Sequence, residues 1–99
     1  MAIYLVSFNM VRNQSYADRL DRLMAELQAG PWWAETGALI VVESQETIDV
    51  FCERLLAPWC FDETIDVAVV FDLVGGEART KGRFRDFNLY DIVPWTKRL

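Results

Sequence analysis

The chain has 99 residues, 53% of them hydrophobic and 13% aromatic, and a formal net charge of −5 at pH 7. This length fits one small domain with enough apolar side chains to build a core, and the acidic balance disfavours binding to nucleic acid through overall charge. The sequence contains no histidine, which removes the most common general base and the Ser-His and Cys-His nucleophile pairs.

The first half of the chain predicts two strands and two helices. The apolar run 2–9 is typical of a central strand, and Ser15 is a good N-cap for a helix that ends at Gly30-Pro31. A second strand is predicted over 38–43, and a second helix is predicted from a Ser44 cap to Pro58. The apolar faces of the two helices are formed by Tyr16, Leu20, Leu23, Met24 and Leu27, and by Ile48, Phe51, Cys52, Leu55 and Leu56.

The second half predicts two further strands. A third strand covers 66–74, with Val67, Val69, Phe71 and Leu73 on one face. Gly75-Gly76 predicts a turn, and a fourth strand is predicted over 83–92 with a bulge near Asp86. Pro94 ends that strand, and residues 92–99 form a C-terminal tail.

The element order is therefore β-α-β-α-β-β, or β-α-β-β-α-β if part of 32–43 folds as a hairpin. Either order predicts an α+β fold in which an antiparallel sheet carries two helices on one face. We expect a single ferredoxin-like domain over 1–99. Its other sheet face needs cover, so we expect a homodimer, with the 92–99 tail exchanged with or docked on the dimer mate.

Cysteine usage and the N-terminal sequence indicate the compartment. Cys52 and Cys60 form neither a metal-ligand spacing nor a disulfide framework, and Cys52 lies on the apolar face of a predicted helix. No basic segment precedes the first apolar run, and that run is too short for a membrane span. We expect a cytoplasmic protein with no membrane partner.

Three groups of polar residues are candidates for chemistry. Ser7, Asn9 and Arg12 at the end of the first strand form a candidate site, but a turn residue that caps the loop is the preferred interpretation of Asn9. Asp72, within an apolar strand, could join Ser7 and Asn9 as a catalytic residue, or could face solvent or a dimer interface. The acidic residues Asp62, Glu63 and Asp66 could bind a cation, but a solvated acidic turn is the preferred interpretation.

Basic and aromatic residues suggest binding. Arg79, Lys81, Arg83 and Arg85 alternate along the chain and, with Arg12, are candidates for contacts with a phosphate backbone. An edge strand kept soluble by charge is the preferred interpretation. Trp32 and Trp33 could stack on bases, but one core Trp and one edge Trp is the preferred interpretation.

The opening Tyr4-Leu5-Val6-Ser7-Phe8-Asn9, the Trp pair and the Asp62-Glu63 turn resemble the small Cas-two-like, SinR-like and VapD-related proteins. The resemblance implies a ferredoxin-like homodimer in which a late strand of one chain adds to the sheet of the other. It also implies a magnesium ion held by acidic residues that end strand one in each chain. Asn9 stands at that position here, and a neutral amide is a weak ligand for a hard cation.

Three functions follow, in order of preference. The first is a dimeric Cas-two-like or SinR-like protein that is degenerate for nuclease activity and binds RNA, DNA or a protein partner. The second is a regulatory module whose dimer groove holds a small molecule. The third is a metal-dependent endoribonuclease that uses Asn9 as its metal residue, with Mg²⁺ as the cofactor. Whether the protein is an enzyme therefore stays open.

Overall fold

The computed structural model describes residues 1–37 and 39–99; Ala38, the first residue of the predicted second strand, lies outside the described residues. The described elements, in chain order, are β1 (Ala2–Asn9), α1 (Tyr16–Leu27), β2 (Trp32–Trp33), β3 (Ile40–Ser44), α2 (Ile48–Leu55), β4 (Val67–Asp72), β5 (Ala78–Gly82), α3 (Asn88–Ile92) and β6 (Lys97–Arg98).

These elements form an α+β fold with one mixed sheet. Its strand order is β2-β3-β1-β4-β5-β6, and all neighbours are antiparallel except β5 and β6, which are parallel. Strand β1 lies between β3 and β4, as its apolar sequence predicts. Trp32 and Trp33 pair with Val42 and Val41, so the hairpin alternative β-α-β-β-α-β describes the first six elements.

Strand alternation separates the two faces of the sheet. Tyr4 pairs with Val42 on one side and Asp72 on the other, and these positions belong to the face that packs against α1 and α2. Tyr4 stacks on Phe51 of α2 with 4.5 Å between ring centroids. The predicted helix faces are confirmed, because the buried cluster includes Leu23, Leu27, Ile48, Phe51, Cys52, Leu55 and Leu56. Burial of one such large side chain contributes roughly 1.5–3 kcal/mol.

The opposite side of the sheet carries neither α1 nor α2, and we call it the open face. Leu5 lies there between Val41 and Phe71, and Ser7 lies opposite Val69. All five side chains are only half-buried. The predicted alternation of the third strand is thus confirmed, since Ala68 and Val70 are buried on the helix side. A sheet face with this much aliphatic surface is typical of an interaction surface.

The fourth predicted strand is misplaced. The strand after the turn is β5, residues Ala78–Gly82, and the segment 83–92 holds the short helix α3 instead. Strand β5 has few apolar residues and follows β4 so closely that hairpin pairing dominates its conformation. Asp86 marks the start of α3, where its Oδ1 accepts a hydrogen bond from the Asn88 N–H at 2.9 Å, and forms no bulge.

The predicted start of α1 is confirmed, but neither predicted side-chain cap is. Helix α1 begins after Ser15 as predicted, but the Ser15 hydroxyl accepts from Arg19 Nε and caps no helix N–H. Helix α2 is capped by Thr47, whose Oγ1 accepts from the Val50 N–H, and not by Ser44. Ser44 is the last residue of β3 and donates to Glu46.

The C-terminal tail docks on its own chain. Lys97 and Arg98 pair with Arg79 and Thr80 of β5, and the Leu99 N–H donates to the Thr80 carbonyl at 2.7 Å. Within the described ranges, none of the helices has the length and apolar character needed to cross a membrane.

Candidate functional site

A buried polar network fixes the loops at the C-terminal end of β1. The Asp66 carboxylate is fully buried and accepts from Arg19 Nη1 at 3.1 Å, from the Val11 N–H at 2.8 Å and from the Asp62 N–H at 3.0 Å. Arg19 also donates to the Val11 carbonyl and to Asn13. Asp66 is therefore neither a solvated turn residue nor an open cation ligand.

The same residue joins the β1 end to the end of β5. The Asp66 carbonyl accepts from the Arg83 N–H at 3.0 Å, while its carboxylate holds Val11. Asp66 therefore anchors the backbone at Arg83 and at Val11, the residue before Arg12. Arg12 and Arg83 are two of the predicted nucleic-acid-binding residues. Both side chains are exposed, and Arg12 lies over the Tyr16 ring at 5.4 Å from its centroid.

The predicted catalytic residues are only partly brought together. Ser7 and Asn9 share the open face, and Asn9 is exposed opposite Val67. Asp72 pairs with Tyr4 at the other end of the β1–β4 ladder, roughly 17 Å away at strand spacing, and on the helix face. Its Oδ1 accepts from the N–H groups of Val74 and Gly75, so it organises the β4–β5 turn. Asp72 cannot act with Asn9 within one chain.

The donor set at Asn9 does not fit a magnesium ion within a single chain. In the part of the chain that the structure describes, no group of three or more His, Cys, Asp or Glu residues could hold a metal. Asn9 offers one neutral amide, and Mg²⁺ sites ordinarily include one or two carboxylates. The Asn9 amide is therefore better suited to hydrogen bonding with a ligand than to binding a metal ion.

The predicted basic strip is divided by the sheet. Arg79 is 3% exposed and donates from Nε to Asp49 Oδ1 at 2.7 Å on the helix side. This hydrogen bond holds the pKa of the Asp49 carboxyl below its usual range. Lys81 lies on the same side and donates to the Leu56 carbonyl at 3.2 Å. Neither is presented with Arg83 and Arg85, which are exposed beyond the end of β5.

Charge is distributed unevenly along the chain. Residues 83–99 carry four of the ten basic and two of the fifteen acidic side chains, a net charge of +2. Residues 1–82 carry the other six basic and thirteen acidic side chains, a net charge of −7. Among the described residues, five cations form no salt bridge and no hydrogen bond to a carbonyl: Arg12, Arg83, Arg85, Lys97 and Arg98.

Aromatic rings accompany one of these cations, Arg98, on the open face. The Thr80 and Tyr90 hydroxyls are 2.6 Å apart, which fixes Tyr90 over β5. The Arg98 guanidinium lies 5.1 Å from the Phe87 centroid and 5.3 Å from that of Tyr90. Phe87 is 50% exposed, so one ring and one guanidinium face solvent together. This is the arrangement that stacks on planar groups while neutralising negative charge.

Phe84 connects this cluster to the end of β1. Its ring lies 6.5 Å from that of Tyr90, and it lines a shallow cavity of about 140 Å³ with Ser7, Asn9 and Val69. Contacts therefore run across the open face from Asn9 through Phe84 and Tyr90 to Phe87 and Arg98. We call these five residues, together with the exposed Arg83 and Arg85 on either side of Phe84 in the sequence, the basic–aromatic surface; Arg12 lies outside it, over the Tyr16 ring of α1.

The Trp pair is not divided between core and edge. Trp32 and Trp33 are 48% and 46% exposed, and both lie on the short edge strand β2. The expectation of one core Trp is therefore wrong. A two-residue strand at the sheet edge has too few neighbours to bury either ring, although the pairing with Val41 and Val42 places the rings on opposite faces.

A second ionic cluster lies away from this surface. Arg54 binds Glu46 through Nε and Nη2 and Glu26 through Nη1, beside a cavity of about 340 Å³. Arg54 holds the pKa of the Glu46 carboxyl below its usual range, and the two glutamates raise the pKa of Arg54. Each charge in the cluster already has a partner, so the cluster is structural.

Sequence reasoning missed Arg19, Phe84, Phe87, Tyr90 and Arg98 as site residues. Arg19 had a signal, because it falls on the apolar face of α1 between Tyr16 and Leu23. The aromatic residues were assigned to a strand, which concealed their convergence on Arg98. Comparison of the chain with known protein families, with curated proteins and with solved structures found no match.

Proposed function

We propose that this protein is a dimeric, ferredoxin-like relative of the Cas-two-like and SinR-like proteins that binds single-stranded RNA or DNA without cleaving it. The observation that carries the proposal is the Arg98 guanidinium beside the Phe87 and Tyr90 rings on the open face. Single strands expose the base faces that stack on such rings, whereas a duplex hides them.

The ferredoxin-like part of the proposal is supported by topology. The first four strands follow the order β2-β3-β1-β4, all antiparallel, with α1 and α2 as crossovers. This is the arrangement of a split β-α-β-β-α-β unit. Strands β5 and β6 and helix α3 extend that unit on the β4 side. The family assignment rests on this order together with the Tyr4-to-Asn9 opening.

Binding is favoured over catalysis by the groups present. Asn9 cannot donate or accept a proton as an acid–base catalyst near neutral pH, and Asp72 lies far from it. Arg83, Arg85 and Arg98 supply charge for phosphates, and Phe87 supplies a stacking surface. The remainder of the chain is acidic and repels a polyanion, so a nucleic acid is attracted to this surface and not to the rest of the molecule.

A homodimer is supported by the aliphatic part of the open face. Leu5, Val41, Val69 and Phe71 are half-buried in one chain, and a second copy would bury them fully. We propose that the two copies face each other through these residues, which leaves the basic–aromatic surface at the rim of the interface. A strand could then contact both copies.

The test is one gel that follows retardation and cleavage together. Labelled single-stranded RNA, single-stranded DNA and a duplex of the same sequence are incubated with the protein at low salt, with Mg²⁺ and with chelator. We expect retardation of the single strands without cleavage in either condition. Binding should weaken as salt rises, because counterions are released. Mg²⁺-dependent cleavage, or no retardation at all, refutes the proposal.

Matched variants locate the surface. Phe87→Ala should weaken binding by about 1–3 kcal/mol, the value of one stacked base. Arg98→Gln should weaken binding and reduce the salt dependence by about one counterion. Lys97→Gln is the control, because it removes the same charge from the neighbouring residue. Lys97 pairs with Arg79 on the helix side of the sheet, where its charge lowers the pKa of Asp49. Equal effects of the two charge changes would argue against the basic–aromatic surface.

A further inference from the structure

A cleft on the helix side of the sheet carries charges of both signs around an exposed indole. It has a volume of about 470 Å³ and lies between α1, the 56–64 segment and β5. This volume is within the range of small-molecule sites, roughly 300–1,000 Å³. Its lining includes Arg22, Lys81, Trp59, Asp62 and Glu63. The cleft is separate from the basic–aromatic surface.

The two cations of the cleft are held in place without being neutralised. Arg22 Nη1 donates to the Trp59 carbonyl at 3.3 Å, and Lys81 Nζ donates to the Leu56 carbonyl at 3.2 Å. Within residues 1–37 and 39–99, neither forms a salt bridge. A carbonyl orients a cation but leaves its charge, so both can bind an anionic group. Arg19 also lines the cleft, but Asp66 neutralises it.

The two carboxylates of the cleft are equally available. Asp62 Oδ1 accepts from the Thr64 N–H at 3.0 Å and from the Thr64 hydroxyl at 2.6 Å, which leaves Oδ2 for another donor. These bonds hold the pKa of the Asp62 carboxyl below its usual range, so it is charged at neutral pH. Glu63 is exposed beside it. The cleft therefore presents two positive and two negative groups that are not paired with one another.

Part of the lining of the cleft is apolar. Trp59 is 59% exposed and Pro58 precedes it in the chain, and both line the cleft. An exposed indole next to unpaired charges of both signs is complementary to a molecule with a carboxylate, an ammonium group and an apolar side chain. A phosphate ester would gain Arg22 and Lys81 but would meet the two carboxylates.

We propose that this cleft binds a free α-amino acid with a large apolar side chain. Arg22 and Lys81 receive its carboxylate, Asp62 and Glu63 receive its ammonium group, and Trp59 packs on its side chain. The proposal does not depend on nucleic-acid binding, since it uses none of the residues of the basic–aromatic surface.

The test compares three probes that share one phenethyl skeleton, by the NMR resonance of the Trp59 indole N–H. The probes are L-phenylalanine, phenethylamine, which lacks the carboxylate, and N-acetyl-phenylalanine, which lacks the ammonium group. We expect a saturable shift with L-phenylalanine and binding at least about tenfold weaker with each of the others, because each loses one charged contact. Equal binding of N-acetyl-phenylalanine, or no saturable shift with L-phenylalanine, refutes the proposal.

Two variants and two controls assign the charges. Glu63→Gln changes an exposed side chain without a structural bond and should weaken L-phenylalanine about tenfold while leaving N-acetyl-phenylalanine unchanged. Lys81→Gln should weaken both. The controls, Glu53→Gln and Lys97→Gln, remove the same charges from exposed positions outside the cleft. If the controls weaken binding as much as the cleft variants, general electrostatics explains the data and the proposal is wrong.

Discussion

Arg19 and Asp66 form an ion pair, with 3.1 Å between Arg19 Nη1 and Asp66 Oδ2 and side-chain exposures of 6% and 0%. The pair links α1 to the residue before β4, 47 residues further along the chain. Its carboxylate also accepts two backbone N–H groups, so the pair holds loops as well as charges.

Asp66→Asn should lower the free energy of unfolding by about 3–5 kcal/mol, because it leaves the Arg19 guanidinium buried without its counter-charge. Urea denaturation of the two proteins measures this change. Asp18→Asn is the control: it changes an exposed residue of α1, next to Arg19, and should change stability by less than about 0.5 kcal/mol. A loss at Asp66 as small as that at Asp18 would show that solvent reaches the pair.

Gly82 ends β5 where two strands approach closely. Its φ is +114°, and an added Cβ would lie 1.9 Å from the Asp66 carbonyl oxygen. Gly82→Ala should therefore cost more than about 3 kcal/mol or prevent folding. Gly76→Ala is the matched control, since φ is +76° there but nothing lies within 4 Å of the added Cβ. Its cost should be about 1–2 kcal/mol, from backbone strain alone. Thermal unfolding of the pair separates steric contact from strain.

Glu46 should contribute to acid sensitivity. Arg54 holds the pKa of the Glu46 carboxyl below its usual 4.5 in the folded protein, so its stabilising effect is present above that value and is lost as pH falls through the folded pKa. Glu46→Gln should reduce stability by about 1 kcal/mol at neutral pH and flatten the decline below about pH 4.5. Glu43→Gln, at an exposed position on the open face, is the control and should change stability at neutral pH by less than about 0.5 kcal/mol.

Both cysteine thiols should be unreactive in the folded protein. Burial raises the pKa of the Cys52 thiol to about 12 and also raises the pKa of Cys60, and the two residues are 1% and 0% exposed. Because the thiolate is the reactive form, a disulfide reagent in mildly alkaline buffer should modify neither cysteine within minutes. Both should react at once in guanidinium chloride. Rapid modification of the native protein would reveal opening around α2.

The proposed dimer should dissociate when charge enters the open face. Leu5→Glu places a carboxylate between Val41 and Phe71, where a second copy would have to bury it. We expect the variant to be monomeric by light scattering, with an unchanged circular dichroism spectrum. Val50→Glu, half-exposed on α2, is the control and should remain dimeric. A monomeric wild-type protein contradicts the proposal directly.

The spacing of apolar residues in the sequence was enough to predict the helices and the strand that bury one face and expose the other. Helix α1, helix α2 and strand β4 each repeat apolar residues at the spacing of the element, and their buried faces match. Strand β5 could not be found in this way, because Arg79, Thr80 and Lys81 are polar and two of them are buried only through partners elsewhere in the fold. The apolar residues that follow are used by a short helix.

The site was harder to predict than the fold because it depends on pairing between distant elements. Arg79 carries the same charge as Arg83, and only the position of Asp49 on α2 decides that one is buried and the other exposed. The convergence of Phe87 and Arg98 requires the parallel pairing of β6, which no local pattern in the chain predicts.

The strands at the two ends of the described sheet, β2 and β6, are each two residues long. Such short edges give an approaching chain almost no free backbone to pair with, and β6 occupies the outer side of β5. We therefore expect the sheet to resist edge-to-edge growth into fibrils, despite the exposed apolar side chains. Deleting residues 97–99 should uncover β5 and make the protein prone to aggregation that increases with concentration.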